Sequence, residues 1–458
     1  MAQTRRQFLQ TTWGAGAVLA GGCAGLPRRA LQGKPAGARL NVAMIGVGGR
    51  GQANWSAVCE SGERLVALCD VDEGALLACR EKVAVTNPGV RLYKDFRVML
   101  EAERSLDAVF ISTPDHGHAV QAAWALDKGC HVYVEPPVAR TLREVRLLGG
   151  MAASRGLILR MGDQGCRAAE ALRAVALLKS GIIGEVSEIH AWTGRPVWPQ
   201  GVRRPEGSDV VPGSLDWDLW LAGAPLRPYK HNVYHRFNWR GWHDFGTGAL
   251  GDAGCHLLNV PFRALGLAAP ASVEAVEVTE RQSETYPKSS QVRFGFAARG
   301  RKAPPVTLDW YDGNRKPKAD GMEPVTATFD LLPGSGCLLV GDRGVWLVGD
   351  DAGTRHYLAL RGEASVVDFE KHEACKGEAL PEPTPLQQAF LQAVRDGQSG
   401  FAEPEVMRPL MECVLAGCVA QRVDGPLTWN SRKARFDGNA EAERLTASAS
   451  REGWACPQ

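Results

Sequence analysis

The chain has 458 residues, enough for two or three domains with cores of their own. Its composition, 45% hydrophobic and 23% charged, is that of an ordinary soluble globular protein. A formal net charge of +2, with no basic run, gives no reason to expect nucleic acid as a partner.

The first segment, residues 1–33, reads as an export signal. "TRRQFLQ" (Thr4–Gln10) carries twin arginines, and "TTWGAGAVLAGG" supplies a short apolar centre before small residues around Cys23. The Arg-Arg pair followed by Phe-Leu resembles a twin-arginine (Tat) signal, which implies the Tat export machinery as a partner and a periplasmic location. The apolar run is too short and too rich in Gly and Ala to make a good membrane span. "LAGGC" leaves lipid anchoring through Cys23 open, because Ala20 stands where a lipoprotein box usually has a larger aliphatic residue. The twelve cysteines are scattered, with no CxxC pair and no zinc-like Cys/His cluster. A chain exported already folded acquires its structure in a reducing compartment, so most of them are expected to be small buried hydrophobes.

From Arg39 onward strands and helices alternate. "RLNVAMIG" is a strand, "VGGRGQANWSAVCES" a Gly-rich turn leading into a helix, and "RLVALCD" the next strand. Gly46, Gly48 and Gly51 form GxGxxG, with Gly49 and Arg50 inside the same turn. The first glycine permits the tight turn and the second lets backbone approach a pyrophosphate. The third lets the helix pack close, with the anion at the helix N-terminus. Asp70 ends the second strand 24 residues after Gly46, where a carboxylate can accept hydrogen bonds from the adenosine ribose hydroxyls. Such a carboxylate would repel a 2′-phosphate and favours NAD. Arg50 could approach that phosphate, so NADP remains open. Further strands, "LDAVFIST", "CHVYVE" and "LILRMG", alternate with helices at about residues 118–128 and 141–155. This is an open α/β sheet whose ligand belongs at the strand C-termini, where Thr113-Pro114-Asp115-His116, Glu135-Pro136-Pro137 and Gly162-Asp163-Gln164 stand. Asp115, His116 and His118 could suggest a metal, but nothing completes a ligand set, and no metal is expected.

Beyond this, "EVSEIHAW", "SVEAVEVTE", "QVRFGFAA" and "PVTLDWYDG" alternate with period two between Gly/Pro-rich breaks and read as sheet strands. "TPLQQAFLQAVRDG" reads as a helix with a Thr cap, Pro at its first position and a Gly stop. "EVMRPLMECVLAGCVAQRV" reads as another, perturbed by Pro409.

"VAMIGVGGRGQAN", "LVALCDVDE", "FISTPDHGHAVQAAWALDKGCHVYVEPP" and "LGDAGCHLLN" resemble successive blocks of the Gfo/Idh/MocA family of nicotinamide-dependent oxidoreductases, which act mostly on sugars and cyclitols. The resemblance covers essentially everything after residue 38. It implies an α/β fold: a Rossmann dinucleotide-binding domain over 38–165, then a C-terminal α+β domain over 166–440 with a large open, mainly antiparallel sheet. By the same resemblance, Thr113, Pro114 and His118 line the cofactor cleft, Glu135 lies near the nicotinamide ribose, Gln164 joins the cofactor site, and a homo-oligomer is expected. The family's Glu-Lys-Pro becomes Glu135-Pro136-Pro137, so its lysine is lost. Its Asp and His, four residues apart on one helical face, are Asp252 and His256. A further family acid is Asn259. His256 could carry acid–base chemistry alone, with Asp252 setting its tautomer. The related family 109 glycoside hydrolases also lack this lysine and use bound NAD to oxidise a sugar transiently. Three readings follow: an NAD-retaining carbohydrate oxidoreductase, a hydrolase or lyase using NAD transiently, and a binding protein with decayed catalysis.

Six of thirteen tryptophans fall between residues 192 and 242, interleaved with arginines. Indole faces stack on sugar rings while polar neighbours bind hydroxyls, so the cluster points to a carbohydrate or other polyol. Trp239, Trp242 and His243, nearest the Asp252/His256 helix, are the expected substrate contacts.

Overall fold

The computed structural model describes residues 35–457, apart from 36, 301–302, 319–321, 330–331, 378–381 and 399–402. The export segment 1–33, Cys23 included, lies outside the described residues. No helix among those described is long and apolar enough to cross a membrane.

Six short, almost wholly apolar strands build the first sheet: β1 (Asn41–Ile45), β2 (Arg64–Cys69), β3 (Arg91–Tyr93), β4 (Ala108–Ile111), β5 (His131–Val134) and β6 (Leu159–Met161). All pair in parallel in the order β3-β2-β1-β4-β5-β6, as runs buried on both faces should. The crossovers are α1 (Gly51–Glu60), α2 (Glu73–Val83), α3 (Phe96–Ala102), α4 (Asp115–Asp127) and α5 (Leu142–Arg155). Helix α4 starts three residues earlier than the sequence pattern suggests. Pro114 takes extended geometry at its N-cap, and Asp115 then sits in the first turn, where the helix dipole favours a carboxylate.

After α6 (Ala169–Lys179) the chain enters the second sheet at β7 (Val186–Trp192). It continues through α7 (Trp217–Leu221), α8 (Gly248–Leu257) and α9 (Asn259–Leu265) to β8 (Ser272–Thr279), β9 (Ser289–Phe296) and β10 (Val306–Tyr311). Next come α10 (Glu323–Thr326), β11 (Gly336–Gly341), β12 (Gly344–Val348), β13 (His356–Leu360) and β14 (Val367–Asp368). The last elements are α11 (Leu386–Asp396), α12 (Pro404–Ala420), β15 (Leu427–Asn430), β16 (Arg435–Asp437) and α13 (Ala440–Arg444). Among the described residues the sheet has ten strands, in the order β14-β13-β12-β11-β7-β10-β9-β8-β15-β16, of which only β7 and β10 pair in parallel. On β9, inward Val292, Phe294 and Phe296 alternate with outward Gln291, Arg293 and Gly295, the period-two pattern read from the sequence.

Two expectations need correction. The helix α11 begins at Leu386, with Pro385 at the N-cap and no side-chain cap from Thr384, although Gly397 stops it in the left-handed region as expected. Helix α12 runs unbroken through Pro409. The boundary at 165/166 is also less clean in space than in sequence. Helix α11 returns to the first domain, where Phe390 packs on Phe110 and Tyr133 (ring centroids 5.4 and 5.6 Å), and Gln387 donates to Asn54 at 2.9 Å. The described cysteines carry free thiols and most are buried.

Candidate active site

A cavity of about 840 Å³ runs along the C-terminal ends of the first sheet and is closed on the far side by the second domain. The Gly-rich turn forms its floor. Gly46 has φ of +83°, and a Cβ there would lie 2.7 Å from the Ser112 carbonyl oxygen. A Cβ on Gly51 would lie 2.3 Å from the Gly46 carbonyl oxygen, so only glycine lets α1 start this close to β1. Gly48 and Gly49 line the cavity, and a Cβ on Gly48 would meet only Ala75, itself a lining residue. This leaves a smooth backbone cradle at a helix N-terminus, which fits a dinucleotide pyrophosphate.

Asp70 closes the cradle. Its Oδ2 accepts from the N–H groups of Val47 (2.9 Å) and Gly48 (3.4 Å), and its Oδ1 from that of Asp72 (3.0 Å). Burial raises its pKa, and those three hydrogen bonds work the other way. Arg50 points away from Asp70 towards Glu135, with Nε 3.2 Å from Oε2. That placement takes the one cation of the turn away from the 2′ position and fits NAD. Glu135 also accepts from Asn54 (2.8 Å) and from Gln164 (3.2 Å), and Gln164 in turn donates to the Tyr133 hydroxyl at 2.9 Å. Thr113, Pro114, Pro136 and Gln164 all line the cavity. His118 touches its edge but is a brace, with Nδ1 2.7 Å from the Pro137 carbonyl oxygen and Nε2 2.8 Å from that of Thr113. It ties the turns after β4 and β5 together and, although only 1% exposed, it lines the cavity with Thr113 and Pro114 as expected.

Asp252 and His256 both open onto this cavity from α8, as their spacing requires. Their partners differ from expectation. Asp252 is held between Arg195 and Arg240, the latter with Nε 2.9 Å from Oδ1. His256 is oriented by Asp163, whose Oδ1 lies 3.0 Å from Nδ1, and not by Asp252. Burial disfavours the charged imidazole, but the hydrogen bond and charge of Asp163, with Asp252 behind them, outweigh it, and the net shift is upward from 6.5. Asp163 stands at the end of β6, where strand-end position marks a ligand site, and that was its only signal in the sequence.

The tryptophan cluster is mostly core. Trp217, Trp220, Trp239 and Trp242 pack with Tyr229, Tyr234 and Phe245 in one apolar cluster beside the cavity. Trp239 reaches the cavity, with the Arg240 guanidinium 4.3 Å over its ring. Trp242 does not: it is 1% exposed, packs on Tyr234 at 4.9 Å and donates to the Val233 carbonyl. His243 also faces away, against Tyr286 (4.6 Å) and the Ser283 carbonyl (3.2 Å). Neither can contact a ligand in the cavity. Phe237, 47% exposed at the cavity wall, is an aromatic that sequence reasoning missed, as are Phe96 and Trp454 on the same cavity. Asp115 is a further site residue without a clear signal in the sequence. It lines the cavity, accepts from the Thr247 hydroxyl at 2.7 Å, and burial pushes its carboxyl up to about 7. Among the described residues no cluster of three or more His, Cys, Asp or Glu is placed to hold a metal ion.

Residues 40–163 match the Gfo/Idh/MocA oxidoreductase family, NAD-binding Rossmann fold, and residues 173–296 match its C-terminal alpha/beta domain. The alpha-N-acetylgalactosaminidase of Tannerella forsythia is 30% identical over 214 residues, 42% of this chain and 45% of that protein. A glycosyl hydrolase family 109 protein of Shewanella sp. (strain ANA-3) is 29% identical over 153 residues, 32% of this chain and 33% of its own. The chain thus spans from a third to about half the length of these curated relatives. Among solved structures, the WlbA dehydrogenase of Chromobacterium violaceum, in complex with NADH and UDP-GlcNAcA, aligns with a TM-score of 0.61. That alignment covers 87% of this chain and 99% of the dehydrogenase at 16% identity, a likeness of fold.

Proposed function

The chain belongs to the Gfo/Idh/MocA oxidoreductase family, and from that premise we propose that it is an exported oxidoreductase for a carbohydrate or other polyol, with tightly held NAD. The observation that carries this reading is the placement of His256, backed by Asp163, on the same cavity as the Gly46–Gly51 cradle and Asp70. Export rests on the residues of segment 1–33. Self-association through the open face of the second sheet belongs to the same reading.

Gly46, Gly48, Gly49 and Gly51 would hold the pyrophosphate and Asp70 the adenosine ribose, while Glu135 and Gln164 line the same cavity. NAD, when bound, would supply the acceptor for the hydride lost by the sugar carbon. Asp163 accepts from Nδ1–H of His256, which leaves Nε2 free to accept the proton of a substrate hydroxyl. The resulting imidazolium sits beside the Asp163 carboxylate, the arrangement that stabilises it. Arg195 and Arg240 fix Asp252 and keep its oxygens at the wall as acceptors for neighbouring hydroxyls. Pro136 stands where the family lysine would, and it carries no proton.

Pro136 also favours a second reading, in which the sugar is oxidised only transiently and its glycosidic bond is cleaved. Two similar proteins, a galactosaminidase and a family 109 glycosyl hydrolase, carry names of that kind. A sugar and glycoside panel, with and without an electron acceptor, separates the two. Net acceptor reduction supports the oxidoreductase, and glycoside cleavage without net redox change supports the second reading. Replacing His256 by Gln should lower turnover by roughly 10²–10⁴-fold with little change in NADH affinity. Unchanged turnover would make His256 structural.

A further inference from the structure

The adenosine end of the cavity is not built by the first domain alone. Directly after Asp70, the β2–α2 turn is bound from above by a loop of the second domain. The Asp216 N–H donates to the Val71 carbonyl at 3.0 Å, and the Glu73 N–H to the Ser214 carbonyl at 2.8 Å. Asp72 and Leu215 thereby form an isolated antiparallel bridge. From the segment beyond α7, Arg236 donates to Asp72 Oδ2 at 3.2 Å.

The neighbouring start of α3 is gripped by the C-terminal tail. Arg97 donates to the Gly453 carbonyl at 3.0 Å, and its guanidinium lies 4.0 Å over the Trp454 ring. Phe96 packs on the same indole, with ring centroids 6.1 Å apart. The tail is tied back to α7, because Arg451 donates to the Ala222 carbonyl at 2.8 Å and to Asp218 at 2.6 Å. Loop, helix α7 and tail therefore make one continuous span from the turn after β2 to the start of α3. Leu219, Trp220, Arg236 and Trp454 line the same cavity as Asp70 and Gly48, so the span is its roof.

We propose that this span is part of the cofactor site: it closes over the adenosine half of the dinucleotide and sets how slowly the cofactor leaves. The inference rests on the cavity being the NAD site. A ligand beneath a roof held by several hydrogen bonds and a stacked Arg–Trp pair leaves only when the roof opens, so its release is slower than from an open cleft. Slow release matches the demand of a compartment without free NAD. Retention for hours needs a release rate near ~10⁻⁴ s⁻¹, which at an association rate of ~10⁶ M⁻¹s⁻¹ corresponds to a Kd of ~10⁻¹⁰ M.

The test uses the whole chain loaded with NADH and chased with excess NAD, following the decay of bound-NADH fluorescence. Trp454→Ala should release NADH at least roughly tenfold faster than the unaltered protein. Arg236→Ala, at a position 77% exposed and so expected to fold normally, should speed release severalfold. Release within twofold of the unaltered protein in both variants overturns the proposal. An unaltered chain that, once stripped of any dinucleotide it carries, takes up no NADH overturns it together with the assignment of the cavity. Uptake by all three chains with faster release only in the variants supports both.

Discussion

Replacing Asp163 by Asn tests the centre of the proposed chemistry. The substitution keeps shape and removes the charge that faces Nδ1 of His256 at 3.0 Å. A hydrogen bond to a charged partner contributes about 1.5–3 kcal/mol and a neutral one about 0.5–1.5, so the forming imidazolium loses about 1–2 kcal/mol. That corresponds to about 5- to 30-fold in kcat if the amide presents its oxygen to the ring. If it presents its nitrogen, the tautomer inverts and Nε2 carries the proton, a fault that costs a serine-protease triad about 10⁴-fold. Either way kcat falls. The pH dependence gives an independent sign. His256 accepts a proton only when neutral, so turnover should rise with pH through a value above the ordinary 6.5. Without the Asp163 charge, burial prevails and the inflection should move to lower pH. The assay is a kcat profile from acid to alkaline pH on the sugar that the panel identifies, with NADH affinity as the control for folding. A kcat within twofold and an unmoved inflection would refute the assignment.

Two further outcomes are expected. Asp115→Asn should flatten the pH dependence of stability: the folded carboxyl keeps its proton up to about 7 against 3.8 unfolded, so stability declines as pH rises across that window. At about 1.4 kcal/mol per unit the ceiling is about 4 kcal/mol, and thermal melts at acid and mildly alkaline pH should show a smaller fall in Tm for the variant. Asp70→Ala should weaken NAD more than NADP, although both lose the bracing of the Val47 and Gly48 N–H groups, and parallel titrations that give equal losses would remove Asp70 from cofactor choice.

What was legible in the sequence was what neighbours along the chain decide. The glycine turn, Asp70 and the apolar runs of the first sheet follow from local sterics and periodicity, and so does the shared face of Asp252 and His256. Their partners were not legible, because they come from elsewhere: Asp163 is 93 residues from His256, and Arg195 is 57 from Asp252. Trp239 and Trp242 show the same limit. They share a composition signal and stand three residues apart, yet one meets the cavity and the other fills a core with Tyr234 and Phe245. Which way an indole turns depends on packing that no local pattern encodes.

Helix α11 has a consequence for how the chain reaches its native state. Leu386, Phe390, Leu391, Ala393 and Val394 complete an apolar layer whose other buried members, Val42, Phe110 and Tyr133 among them, lie between Leu40 and Cys166. The nucleotide-binding unit is therefore a high contact-order assembly that nascent chains cannot finish until most of the polypeptide is made. Until then Phe110 and Tyr133 present a sticky sheet face. A fragment ending near residue 165 should accordingly aggregate, and uptake of the dinucleotide can serve as a report that synthesis has reached α11.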